Sequence, residues 1–115
     1  MDDVGALSHP LPAPLIGLIA QRFRVLSEPM RIKLLDLLRD GPATVQELTE
    51  ATGSSQQNVS KHLGILLQAG IVSREKRGTS AVYAIADESV FALCDQVCGG
   101  LRRQLDELGA TLATT

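Results

Sequence analysis

Hydrophobic positions recur at helical spacing in five stretches of this chain and bracket a polar turn in a sixth. From Pro14, a favourable first helical residue, Leu15, Ile16, Leu18, Ile19, Phe23 and Leu26 describe a helix whose apolar face is wider than one small core needs. Ser27 is placed to cap a second helix, with Ile32, Leu34, Leu35, Leu37 and Leu38 inside and Gly41-Pro42 as its stop. Thr44, with Glu47 three residues later, opens a short third helix whose inner face is Val45, Leu48 and Ala51. Gly53 permits a sharp turn, after which Ser54 as N-cap and Gln57 as its capping-box partner start a fourth helix that buries Val59, Leu63, Leu66 and Leu67. Ile71 to Ala86 has β-branched and aromatic residues at both ends of the polar run RGTS, the pattern of a hairpin turning at Gly78. Asp87 is then placed to cap a last long helix, striped by Val90, Leu93, Val97, Leu101, Leu105, Leu108 and Leu112. The expected fold class is mainly α with a small β-hairpin (α+β), the hairpin lying between the fourth and fifth helices.

The fourth helix carries the chemistry. Its outward residues, Gln56, Gln57, Ser60, Lys61 and Gln68, are amides, a hydroxyl and one cation, with no acid among them. Solvated helix faces are usually rich in Glu and Lys; amides and hydroxyls are the groups that bond base edges and phosphates. Two short helices meeting at a glycine-containing turn form a helix-turn-helix, whose second helix enters the major groove of DNA. That pair alone equally describes two packed helices of a small bundle, and the next segment separates the readings. Lys61, Arg74, Lys76 and Arg77 against Glu75 make residues 54–80 net +3, whereas the chain is formally -2, so the remainder sums to -5. A positive ridge on an acidic protein marks a polyanion-binding surface. The expected DNA contacts are Gln56, Gln57 and Ser60 on base edges; Ser54, Ser55, Lys61 and His62 on phosphate; and Arg74, Lys76 and Arg77 on a basic wing.

The run from Ser27 to Asp87, above all SKHLGILLQAGIV and the Arg-and-Gly hairpin ending in Tyr83, resembles the winged-helix core of the ArsR/SmtB family of bacterial transcriptional regulators, over Phe23 to about Leu108. The resemblance implies a homodimer that binds an operator palindrome and changes DNA affinity when an inducer binds, usually as a repressor, the alternative being a regulator that has no metal inducer or acts as an activator. Metal-sensing relatives carry paired cysteines before the reading helix, where this chain has Thr44 and Gln46. A second family site, Asp-x-His and His-x-x-Glu, aligns with Asp87, Ser89, Gly100 and Arg103. Only the aspartate matches, so neither usual transition-metal site is expected. Histidines near the N-terminus are ligands in some relatives; here His9 lies in a proline-containing arm, residues 1–13, expected to be flexible, ahead of one domain over residues 14–112.

Length and composition fit that reading: 115 residues with 44% hydrophobic and 3% aromatic content suit one small domain with an aliphatic core. The longest apolar run, Leu15 to Ala20, is too short to span a membrane, and the acidic start is unlike a secretory leader, so a cytoplasmic protein is expected. The long stripe of the last helix has little left to cover within one domain. It and the first helix are expected to form a two-fold interface through Leu15, Leu18, Ile19, Val90, Leu93, Val97, Leu101, Leu105 and Leu108. Cys94 and Cys98, one turn apart on the last helix, leave three readings open: small interface residues, a site for As(III) or another thiophilic metal ion, or a redox switch. The chain contains no nucleophile elbow, zincin pair or phosphate-cradling glycine loop, so no enzymatic chemistry is expected. The reading from another class is a dimeric winged-helix protein-interaction module that leaves DNA alone.

Overall fold

A computed structural model describes residues 9–113, with side chains to residue 109; the arm ahead of His9 lies outside the described residues. The element order is α1 (Ala13–Leu26), α2 (Pro29–Leu38), β1 (Ala43–Thr44), α3 (Val45–Thr52), α4 (Gln56–Gln68), β2 (Val72–Arg77), β3 (Ser80–Ile85) and α5 (Ser89–Ala113). Five helices and a hairpin between α4 and α5 stand as expected, and the architecture is a winged helix-turn-helix. The hairpin is joined by a short strand that alternation cannot reveal. Ala43 and Thr44 pair antiparallel with Tyr83 and Val82, giving a three-stranded sheet in the order β1-β3-β2. Two residues are too few to display a period of two.

Helices α2, α3 and α4 contact one another, while β3 packs on α2 and α3, and β2 on α4. Leu34, Leu35, Leu48, Val59, Leu63 and Leu66 are fully or nearly fully buried where they meet, with Ile71, Val72 and Tyr83 closing the sheet side. The caps explain the boundaries. Thr44 and Glu47 form the expected capping box, Oγ1 accepting from the Glu47 N–H at 3.1 Å and Oε1 from the Thr44 N–H at 2.8 Å. Helix α2 is capped by Glu28 rather than Ser27: the Glu28 carboxylate accepts from the Met30 N–H at 2.7 Å, and Ser27 closes α1 instead. An acidic side chain serves this end at least as well, because the helix N-terminus carries positive partial charge. At the end of α4, Gly70 (φ +76°) donates to the Leu67 carbonyl and Ile71 to that of Leu66, both at 3.0 Å. This is the Schellman ending, which needs a left-handed residue and so favours glycine.

Part of the expected dimer face is used internally. Val90 is 2% exposed and belongs to the core, and Leu93 is half-buried against it. The first turn of α5 lies over the domain, so Val90 is unavailable to a second subunit. Beyond it the stripe runs into solvent: Val97, Leu101, Leu105 (65% exposed) and Leu108, with Ile16, Leu18 and Phe23 of α1. Leu15 and Ile19 are half-buried. The radius of gyration is 17.7 Å, whereas a compact chain of this length would have about 13 Å. The long helices project from the core.

Candidate nucleic-acid interface

The turn into α4 is Gly53-Ser54-Ser55, with Gly53 left-handed at φ +71° as the C-cap of α3. Ser55, not Ser54, is the N-cap: its Oγ accepts from the Asn58 N–H at 3.1 Å, while Ser54 Oγ accepts from Asn58 Nδ2 at 2.9 Å. The expected box between Ser54 and Gln57 does not form, since the helix starts one residue later. Both hydroxyls accept from Asn58 and keep their own O–H to donate outward. Gln56, Gln57, Ser60, Lys61 and Gln68 are all exposed, on a helix containing no acidic residue.

His62 faces inward and is 6% exposed. Its Nδ1 lies 3.0 Å from Arg31 Nη1, and the same guanidinium donates to the carbonyls of Val25 at 2.5 Å and Arg24 at 3.4 Å. The expectation that His62 rests on phosphate is therefore corrected: the ring sits in the seam between α2 and α4. Its position already carried the signal, because residues 59, 62, 63 and 66 form one helical stripe. Burial holds the imidazole below its ordinary value near 6.5; Glu28 opposes this, and Lys61 and Arg31 reinforce it. The neutral ring accepts at Nδ1 from Arg31, which leaves its proton on Nε2. Arg31 is thus a clamp tying the end of α1 to the reading helix.

In the wing, β2 and β3 pair from Val72↔Ile85 to Arg77↔Ser80, leaving Gly78-Thr79 as the turn. Strand alternation puts Arg74 and Lys76 on one face, opposite Tyr83 and Ala81, and Arg77 on the other with Glu75. Arg77 Nη2 pairs with Glu75 Oε1 at 3.2 Å, whereas Arg74 and Lys76 form no ion pair among the described residues. A groove of about 290 Å³ lined by Thr44, Gln46, Gln56, Thr79, Ser80 and Ala81 joins the start of α4 to the wing tip. Gln56, the first residue of the amide face, and the tip of the hairpin therefore border one groove.

The positions matching the family's metal sites do not fit a transition metal. Thr44 is engaged in its capping box. Asp87 Oδ1 accepts from the Ser89 N–H at 3.0 Å and its O–H at 2.6 Å, and Oδ2 pairs with Arg22 at 3.0 Å. The bonds from Ser89 first, then the nearby Arg22, hold this carboxyl below its ordinary 3.8. The Arg103 guanidinium lies beside Gly99 and Gly100, 3.6 and 3.8 Å from where a Cβ would stand. Among the described residues, no group of three or more His, Cys, Asp or Glu could hold a metal ion. Cys94 is half-buried and Cys98 exposed, both reduced. Arg22, which also donates to the Ala69 carbonyl at 3.4 Å, was not marked by the sequence, since a lone arginine on a helix carries no pattern. No described helix is long and apolar enough to cross a membrane.

Residues 28–74 match the family model described as "Bacterial regulatory protein, arsR family". The transcriptional regulator NmtR of Mycobacterium tuberculosis is 36% identical over 77% of this chain and 74% of its own length. The crystal structure of M. tuberculosis Rv0081 superposes with a TM-score of 0.75 at 33% identity, covering 84% of this chain and 97% of that one. A homodimeric winged helix-turn-helix DNA-binding domain of Mycobacterium bovis, Mb0332, gives 0.69 at 31% identity over 82% and 90%. On this combination of amide-faced helix, basic wing and matching relatives, the chain belongs to the ArsR family of DNA-binding transcriptional regulators.

Proposed function

We propose that this regulator acts as a homodimeric repressor whose two α4 helices read half-sites of an operator about one DNA turn apart. The observation that carries the proposal is the acid-free outer face of α4, which at Gln56 borders the groove it shares with the wing. Gln56, Gln57 and Ser60 read base edges. Ser54, Ser55 and Lys61 fix the helix on phosphate, assisted by backbone N–H groups at its start. Arg74 and Lys76 grip the flanking backbone, and Arg77 contributes less because Glu75 already engages it. His62 holds the helix from behind and touches no DNA.

Gel retardation of DNA upstream of the chain's own gene tests this. Affinity should drop by roughly 10³ to 10⁵ between low and moderate salt if the dimer neutralises six to ten phosphates. A protein-interaction module would retard no DNA. Gln57→Ala is expected to relax discrimination at one base position, by about 1 to 3 kcal/mol per half-site in a binding-site selection assay. Lys76→Ala should instead weaken all sequences alike and reduce the salt slope by about one per protomer. Equal loss of selectivity in both variants would show that the reading face has been misassigned.

Control is proposed to run through Cys94 and Cys98, whose thiols bind a thiophilic centre on the helix that also carries the dimer stripe. A ligand that weakens DNA binding must itself bind the DNA-free dimer more tightly, by the same factor. Titrating the reduced protein with and without DNA measures both sides of that linkage. Ligand affinity unaffected by DNA would remove the thiols from the regulatory mechanism.

A further inference from the structure

Between α1 and the reading helix the molecule leaves open a groove of about 390 Å³. Its apolar floor is Val25, half-buried, and Ile65, 36% exposed. Its rim is polar, with Gln21 from α1 facing Lys61 and Gln68 from α4, and none of the lining residues is acidic. Lys61, Gly64 and Gln68 follow Gln57 at helical spacing, so the α4 wall of this groove belongs to the same face as the proposed base readers. Arg24, one turn beyond Gln21 on α1, is exposed and adds a second cation beside the groove. Gly64 stands out on this wall. It lies inside α4, where glycine forms helix less well than alanine, and a Cβ built on it would meet nothing within 4 Å. Among the described residues nothing fills the space a side chain would take, so the bare backbone serves close approach from outside.

We infer that the groove between α1 and α4 seats a stretch of DNA sugar-phosphate backbone, which makes α1 a DNA-contacting element beside α4 and the wing. This rests on the reading of α4 proposed above and extends its surface onto a helix that otherwise serves the scaffold. The chemistry of the two partners matches. Deoxyribose presents an apolar face, and each phosphate carries a negative charge with acceptor oxygens. Val25 and Ile65 pack on the sugar, the Gln21 and Gln68 amides donate to phosphate oxygens, and Lys61 supplies the charge. Gly64 lets the strand lie against the helix backbone. Contacts of this kind fix the position of the helix in the groove of the duplex and carry no base sequence.

Gln21→Lys, at an exposed position outside the core, tests this by gain of function in the full-length protein. Binding to upstream DNA and to an unrelated duplex should tighten alike, on the order of tenfold at low salt, and the salt slope should steepen by about one per protomer. Gln96→Lys, the same change at an exposed position of α5, an element with no part in the DNA surface, should do neither. Gly64→Ala should raise the Tm of the DNA-free protein by about 4 °C yet weaken operator binding on the order of tenfold, two effects of opposite sign that a purely internal role does not produce. If Gln21→Lys matches Gln96→Lys, or Gly64→Ala gains stability at no cost in affinity, the groove holds no backbone and the inference falls while the reading of α4 stands. A change in sedimentation in place of a steeper salt slope would give the groove to a second copy of the chain and overturn the inference equally. If the native protein retards no DNA at any salt, both readings fall.

Discussion

Replacing Leu101 and Leu105 together with glutamate will yield a folded monomer that no longer holds its operator. Both leucines are more than half exposed on the distal part of α5 and neither belongs to the core, so the domain loses none of its buried packing. The helix runs 25 residues, and after Val90 and Leu93 no described residue buries Val97, Leu101, Leu105 or Leu108 of its stripe. In the proposed dimer each of these side chains contributes about 1.5 to 3 kcal/mol of burial. Four of them leave with the double substitution, and four carboxylates are brought to one two-fold axis. Sedimentation should report a single protomer with an unchanged helical circular dichroism spectrum. Operator affinity should drop by at least about 10³, because a lone reading head occupies one half-site and loses the effective concentration that its tethered mate supplies. A stable dimer with both glutamates in place would move the interface elsewhere.

The stripe on α5 illustrates what sequence can and cannot convey. Its spacing from Val90 to Leu108 identified a helix with one apolar side, and the structure has that helix. The same spacing says nothing about which turn is covered by the chain's own core and which is left for a partner: Val90 and Leu105 look alike in sequence, yet one is 2% and the other 65% exposed. Capping was legible to within one residue. The Thr44 and Glu47 box formed as read, whereas Ser54 and Ser55 are adjacent candidates and only the backbone decides between them. Strand β1 was hidden by its brevity. The outward face of α4 was legible because it departs from ordinary surface composition, and the groove that joins it to the wing was not, because Gln56 and Ser80 are brought together only by the fold. His62 was misplaced by its polarity, a property that outweighed its position in the apolar stripe.

Arg31→Met is expected to destabilise the domain by about 3 kcal/mol and to change its response to acid. Three bonds radiate from the Arg31 guanidinium, to the carbonyls of Val25 and Arg24 and to His62 Nδ1. Each charge-assisted bond contributes on the order of 1 kcal/mol, and its loss strands the buried Nδ1 acceptor without a donor. A drop of roughly 10 °C or more in Tm follows for a domain of this size. In the native chain His62 titrates below its ordinary value near 6.5, chiefly through burial. The unfolded chain takes up the proton first on acidification, so this stabilisation is complete above pH 6.5 and is lost as pH falls through the lowered native value. Asp87 behaves the same way in a separate window: held below 3.8, its stabilisation is lost only in stronger acid. Denaturant unfolding from pH 8 to pH 5 should therefore show the native chain weakening below about 6.5, with His62→Gln abolishing that slope. Arg31→Met should make it shallower, because removing a neighbouring cation lets the ring protonate closer to its ordinary range. DNA binding of the native chain should fall over the same interval, since a protonated ring offers Arg31 a donor where it needs an acceptor and loosens the reading helix from α1. A slope identical in all three proteins would mean that the clamp behind α4 does not respond to protons.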